Sequence, residues 1–183
     1  MNKNFKTVAE SQVTMSLLML PSHSNFSGKI HGGFILSLLD QIAFASASKF
    51  SGHYCVTASV DTVDFLNPID VGELVTLKAC VNFVGKTSMI VGIRVEAENI
   101  QSGEIKHCNS SYFTMVAKDE LGKPTQIPGL RIKTKQEYRR FLNALNRKKK
   151  QKEINNYKVD INYNSEDLKN ELSQYNVIVE NLI

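Results

Sequence analysis

Apolar and polar positions alternate strictly through the middle of the chain. Val75, Leu77, Ala79, Val81 and Phe83 alternate with Thr76, Lys78, Cys80 and Asn82. Val84-Gly85-Lys86 reads as a turn, after which Met89, Val91, Ile93, Val95 and Ala97 alternate with Ile90, Gly92, Arg94 and Glu96. A period of two predicts an antiparallel hairpin with one buried and one more polar face. Residues 104–117 and Tyr54–Leu66 predict two further strands, and Gln12–Leu20 an edge strand. One segment breaks the alternation. From near Gly33 through Phe50 the chain is apolar nearly all round, and Ser51-Gly52 supplies a natural helix stop. Such a helix is expected to be buried on most sides. Strand, helix, then four strands is an α+β order, and a sheet wrapped around one long helix accounts for it.

Composition adds limits. A chain of 183 residues, 42% hydrophobic, supports one domain with a sizeable core. Aliphatic residues are dense over 11–130, the expected domain. Residues 131–183 are rich in Lys, Asn and Glu, and Pro124-Thr-Gln-Ile-Pro128-Gly129 punctuates the boundary. Within this extension, Tyr138, Phe141, Leu142 and Leu145 recur at helical spacing and predict an amphipathic helix over 136–146. From Arg147 onward the sequence is polar, read as a solvated helix or a disordered stretch. The net charge of +4 comes mostly from residues 131–152, so it describes the extension and not the domain. The run Arg147-Lys-Lys-Lys150 reads as a solvated face, and no nucleic-acid partner is expected. No run of 18 apolar residues is present and the first ten residues carry charges, so we expect neither a membrane span nor a secretory leader. Cys55, Cys80 and Cys108 have neither metal-ligand nor disulfide spacing, so we expect a reducing cytoplasm and no metal site.

Candidate chemistry concentrates between Asn25 and Asp40. Asp40 is the only acidic residue of the apolar helix. A carboxylate there is expected to lose hydration and become a stronger base, unless it only bonds backbone or Ser37. Gly32-Gly33 open the helix. Glycine lets a substrate approach the backbone, where N–H groups at the positive end of the helix dipole suit a carbonyl oxygen that gains charge. A tight turn alone would also need glycine. His31 reads as a base or as the hydrogen bond that fixes this turn. Asn25 reads as an amide donor to a carbonyl or as an Asx turn.

The pattern Asn25-x-x-Gly28-x-x-His31-Gly32-Gly33, followed by a helix with Asp40, resembles the hot-dog-fold acyl-CoA thioesterases. Three later segments extend the resemblance over residues 12–128: Val56-Thr-Ala-Ser-Val-Asp61 through Pro68, Gly85-Lys-Thr87-Ser88-Met, and Tyr112 through Pro124. It is closest to the cytosolic broad-range branch, brain-type and small bacterial enzymes. Small bacterial members commonly carry an aromatic residue where this chain has His31. The resemblance implies a five-stranded antiparallel sheet around the central helix, paired back to back with a second copy into one continuous sheet. It implies acyl-CoA as substrate and no cofactor. It also implies a homodimer at least, with hexamers built as trimers of dimers common in the family. The helix Asp, here Asp40, is implied as general base or nucleophile. The Gly-Gly N–H groups polarise the carbonyl across the dimer interface, an upstream Asn assists, and His31 stands beside them. Thr57, Ser59, Lys86, Thr87 and Ser88 fall in segments implied to contact substrate. Gly32 and Asp40, eight residues apart, lie about 12 Å apart along one helix, so one chain could hardly aim both at the same carbonyl.

Two other readings compete. A hot-dog dehydratase would use a His with a carboxylate, but His31 before Gly-Gly is poorly placed for that. A non-catalytic acyl-CoA sensor would call for an attached DNA-binding element, and no convincing one is seen.

Overall fold

The computed structural model describes residues 4–156 and Tyr175. The chain divides into two compact units, Met1–Arg147 and Lys148–Ile183. The first holds the sheet and its helix. Its elements are β1 (Phe5–Thr7), β2 (Val13–Leu18), α1 (Gly32–Ser51), β3 (Tyr54–Val60), β4 (Leu74–Val84), β5 (Ser88–Glu98), β6 (Ile105–Lys118) and β7 (Gly129–Arg131). A second helix, α2 (Lys135–Asn156), begins in this unit. The five long strands form an antiparallel sheet in the order β2-β4-β5-β6-β3, which leaves β2 and β3 as the edges. This is the hot-dog fold.

The alternation of the sequence is what closes the core. Val75, Leu77, Ala79 and Val81 of β4 and Met89, Val91, Ile93, Val95 and Ala97 of β5 face α1, which returns Ile35, Leu38, Leu39, Ile42, Ala43, Ala47 and Phe50. The helix stops at Gly52, whose φ of 77° favours glycine. Contrary to the expectation of burial on most sides, α1 keeps one open face. Leu36, Ser37, Asp40, Gln41 and Phe44 are exposed along it. Leu36 and Phe44 made the helix look apolar all round, yet the sheet covers only one flank.

Three further details depart from the sequence reading. The strand expected over Tyr54–Leu66 ends at Val60. Beyond it the chain still leans on β6, through Asp61 N–H to Tyr112 O at 3.0 Å and Leu66 N–H to Cys108 O at 2.9 Å, but forms no continuous ladder. Phe83 does not share the face of Val81. A register shift between Val81 and Phe83 opposes Val81 to Val91 and Phe83 to Ile90, so Asn82 is an extra residue and Phe83 turns outward. A short parallel pair, β1 with β7, was not foreseen from three-residue strands. The Phe5 ring fills the space beside Gly129, and Lys6 Nζ donates to Phe50 O at 2.7 Å, satisfying a carbonyl at the end of α1.

The α2 helix is longer than the expected 136–146. Thr134 and Glu137 form a reciprocal cap, with Glu137 N–H to Thr134 Oγ1 at 3.1 Å and Thr134 N–H to Glu137 Oε2 at 3.0 Å. Phe141 stacks on Phe83 at 5.4 Å and Ala144 is fully buried. Arg147 donates to Asp61 Oδ2 at 2.6 Å and lies over the Tyr112 ring. Tyr138 and Leu142, expected to cover the sheet, are exposed. The expectations for the polar stretch beyond Asn156, with its apolar end Val177, Ile178, Val179, Leu182 and Ile183, lie outside the described residues.

Candidate active site

The candidates between Asn25 and Asp40 occupy two places, the start of α1 and the middle of its exposed face. At the helix start, Asn25 Oδ1 accepts from Ser27 N–H at 2.9 Å, Ser27 Oγ at 2.7 Å and Lys29 N–H at 3.1 Å. Gly28, with φ 78°, turns the chain back. The Asx turn and an open amide donor therefore coexist: Oδ1 holds the loop, while the Asn25 NH2 group has no acceptor among the described residues. His31 is the N-cap of α1, and its Nδ1 accepts from Gly33 N–H at 3.0 Å. That ties down one of the two glycine N–H groups. Gly32 N–H, at the first helical position, has no acceptor among the described residues. The Phe65 ring lies beside Gly32, and an added Cβ there would meet it at 3.5 Å, an ordinary contact.

Two turns further along α1, Asp40 faces the edge strand. Thr57 Oγ1 donates to Asp40 Oδ1 at 2.5 Å. The expectation that Asp40 is desolvated is not met within one chain, because Asp40 is exposed. It lines an open cleft of about 600 Å³ with Gln41, Phe44, Tyr54, Thr57 and Met115. Phe44 and Tyr54 meet edge to face at 5.4 Å on its rim. Thr57, read from sequence as a substrate contact, here orients the carboxylate. Nothing in the spacing of two residues 17 apart showed that pairing; the crossing of α1 over β3 creates it.

Ser59 is exposed on β3 beyond a register shift at Thr57/Ser59. Lys86, Thr87 and Ser88 sit at the β4–β5 turn, held by Gly85 N–H to Ser88 O at 2.7 Å and Ala117 N–H to Thr87 O at 3.0 Å. Ser88 pairs with Val116 and Val116 with Val56, so the turn shares the sheet end of the Asp40 cleft without lining it. Among the described residues no group of three His, Cys, Asp or Glu is placed to hold a metal ion. Lys29 beside Asp70 holds that carboxyl below its ordinary range, and Lys78 and Arg94 do the same for Glu96.

A helix wrapped by a hot-dog sheet, with a carboxylate and a glycine-opened N-terminus on its exposed face, defines a thioesterase-type scaffold. Residues 27–104 match the thioesterase superfamily model. Over 142 residues the chain is 46% identical to the Helicobacter pylori protein VdlD, covering 78% of this chain and 81% of that one. A solved hexameric acyl-CoA thioesterase superposes with a TM-score of 0.82 at 36% identity, over 85% of this chain and 99% of its own. A Staphylococcus aureus acyl-CoA hydrolase, solved with butyryl coenzyme A, coenzyme A and coenzyme A disulfide, gives a TM-score of 0.78 at 29% identity, over 93% and 99%. The chain belongs to the hot-dog acyl-CoA thioesterase family. Solved variants of the Staphylococcus enzyme replace by alanine an asparagine, an aspartate fifteen residues later, and a threonine seventeen beyond that. Asn25, Asp40 and Thr57 repeat both intervals.

Proposed function

We propose that the chain hydrolyses acyl-CoA to a free carboxylic acid and coenzyme A at a site shared by two copies. Asp40 takes the proton of a water that attacks the thioester carbonyl and passes it to the leaving thiolate, or it attacks that carbon itself, expelling the thiolate, which takes a proton from solvent, and forming a mixed anhydride that water then hydrolyses to the acid and free Asp40. The developing oxyanion is held by N–H donors at the start of α1 in the second copy. Of Gly32 and Gly33, the former offers the open donor, since His31 engages the latter. The Asn25 amide adds a second donor from the same end. A base, a water and an oxyanion site suffice for this chemistry, so the proposal includes no metal or redox cofactor. The cytoplasm is the compartment that goes with it, and a related rat enzyme is named cytosolic.

The observation that carries the reading is the Asp40–Thr57 pair at the mouth of a cleft, on a helix face left open by its own sheet. The matching intervals to Asn25 and Thr57 support it. The shared site is supported by two features. Asp40 lies about 12 Å along α1 from Gly32. Beside Asp40, the β3 edge is unpaired in the sheet order, and Tyr54 is 65% exposed. Pairing two such edges would continue the sheet and bring the two helices face to face. A dimer is thus the smallest active form, and a hexamer is compatible with it.

The test is turnover of acyl-CoA by purified chain. Asp40→Asn preserves shape and removes the base, so kcat falls on the order of 10²-fold or more. Near-wild-type turnover by folded Asp40→Asn protein would remove Asp40 from the chemistry.

A further inference from the structure

Phe26 is 114% exposed, the most exposed of the large apolar side chains among the described residues. The turn that carries it is braced. Residues 24–30 close on themselves through the Ser24–Ile30 bridge, Asn25 N–H to Lys29 O at 2.7 Å and Gly28 N–H to Asn25 O at 3.0 Å. Asn25 Oδ1 holds the same turn from inside. The turn is also fastened from outside. Ile30 N–H donates to Ile69 O at 2.9 Å, and Lys29 pairs with Asp70, which Lys106 of β6 meets as well. A fixed turn thus holds one phenyl ring out in water, next to the residue that offers the open amide. An apolar ring so held gains from any apolar surface that covers it.

The Asp40 cleft, of about 600 Å³, has the converse shape. Phe44, Tyr54, Val56 and Met115 give it apolar walls beside Asp40 and Thr57, and no residue of 21–33 lines it. Phe44 and Tyr54 stay 39% and 65% exposed. Phe26 therefore leaves its own chain's cleft open. The shared site brings the start of α1 in one copy to Asp40 of the other. Asn25 and Phe26 are consecutive, so the approach that carries the amide to the thioester carries the ring to the cleft. Phe44 and Tyr54, already edge to face at 5.4 Å, offer it an aromatic seat.

We propose that Phe26 of one copy closes the Asp40 cleft of the other and limits the length of acyl group the site accepts. The inference rests on the shared thioesterase site. With the carbonyl at Asp40, the acyl chain lies along the apolar walls under the ring, and a chain longer than the capped space must displace the ring. Short acyl groups are favoured over long ones.

The test is the profile of kcat/KM over acetyl-, hexanoyl- and palmitoyl-CoA. Phe26→Ala frees room for several methylene groups, each worth about fourfold when buried, so the palmitoyl-to-hexanoyl ratio should rise about tenfold or more. Phe26→Leu keeps an apolar cap and should stay close to the wild-type ratio. The ring is exposed in the single chain, so its loss does not threaten the fold. Hybrid sites then locate it. When Asp40→Asn/Phe26→Ala chains are mixed with Asn25→Ala chains, the one site with both Asp40 and Asn25 lacks the ring, and its profile should be shifted. When Asp40→Asn chains are mixed with Asn25→Ala/Phe26→Ala chains, that site keeps the ring, and its profile should be wild type. An unshifted profile in active Phe26→Ala protein, or the reverse assignment in the two mixtures, would overturn the inference and leave the thioesterase reading standing. An unshifted profile with Phe26-dependent sedimentation on phosphatidylglycerol vesicles would give the ring to a lipid surface instead. Wild-type chain without turnover, or mixtures without recovery, would overturn the shared site and this inference with it.

Discussion

In the proposed mechanism Asp40 and Gly32 stand on one helix and do different work, and substitutions can separate them. Thr57 Oγ1 fixes one carboxylate oxygen of Asp40. Thr57→Val keeps the volume of the side chain and deletes the hydroxyl, so the carboxylate loses its orientation. We expect kcat to fall about tenfold with KM little changed, and Thr57→Ser to restore it. An equal loss in the serine variant would assign Thr57 to packing. Gly32 allows a cleaner experiment. It is the first residue of α1, where proline is tolerated, and His31 before it is extended at φ −65° and ψ 126°, as a residue preceding proline prefers. Gly32→Pro therefore removes the N–H while leaving the helix start in place. Loss of an oxyanion donor costs on the order of 10²-fold in kcat. Gly32→Ala keeps the N–H, meets Phe65 only at ordinary contact, and should retain most activity. Equal turnover by the two variants would take Gly32 out of the oxyanion site.

At the scale of elements, what could be read from sequence followed periodicity. The β4–β5 hairpin was legible because Val75 through Val81 and Met89 through Ala97 keep a strict period of two on a sheet with one buried face. Asn82 broke that reading, since a bulge inserts a residue without leaving a compositional mark, and it moved Phe83 to the face that α2 covers. The strand expected through Leu66 ends early because Val63 and Phe65 still alternate with Thr62 and Asp64 after the ladder has ended at Val60. The Thr134-x-x-Glu137 spacing is that of a capping box, and it marks the start of α2 in the sequence. The α2 helix also defines a stability prediction. The Phe83–Phe141 stack and the buried Ala144 lie before Arg147. A chain ending at Arg147 should keep its fold and activity. One ending at Thr134 loses the stack and its burial, about 1–2 kcal/mol or more, and should melt several degrees lower. Identical melting of the two truncations would show that α2 adds nothing to the sheet.

The whole molecule decides whether the site is complete. In a single chain Asp40 is exposed near the middle of α1, whereas the Asn25 amide and Gly32 N–H stand at its start. In the sequence this separation shows as the spacing of eight residues along a helix; the open face of α1, with Leu36 and Phe44 each 39% exposed, makes it visible. Two chains with edges paired through β3 would set the carboxylate of one against the N–H donors of the other. Subunit mixing tests that claim most directly. Asp40→Asn chains and Asn25→Ala chains are each purified, shown to be folded and nearly inactive, then mixed in equal amounts and allowed to exchange. A hybrid dimer contains one doubly impaired site and one intact site. Half of the dimers are hybrid, so the mixture should recover about a quarter of wild-type turnover. A mixture no more active than its separate components, after exchange has been verified, would contradict a site built from two chains.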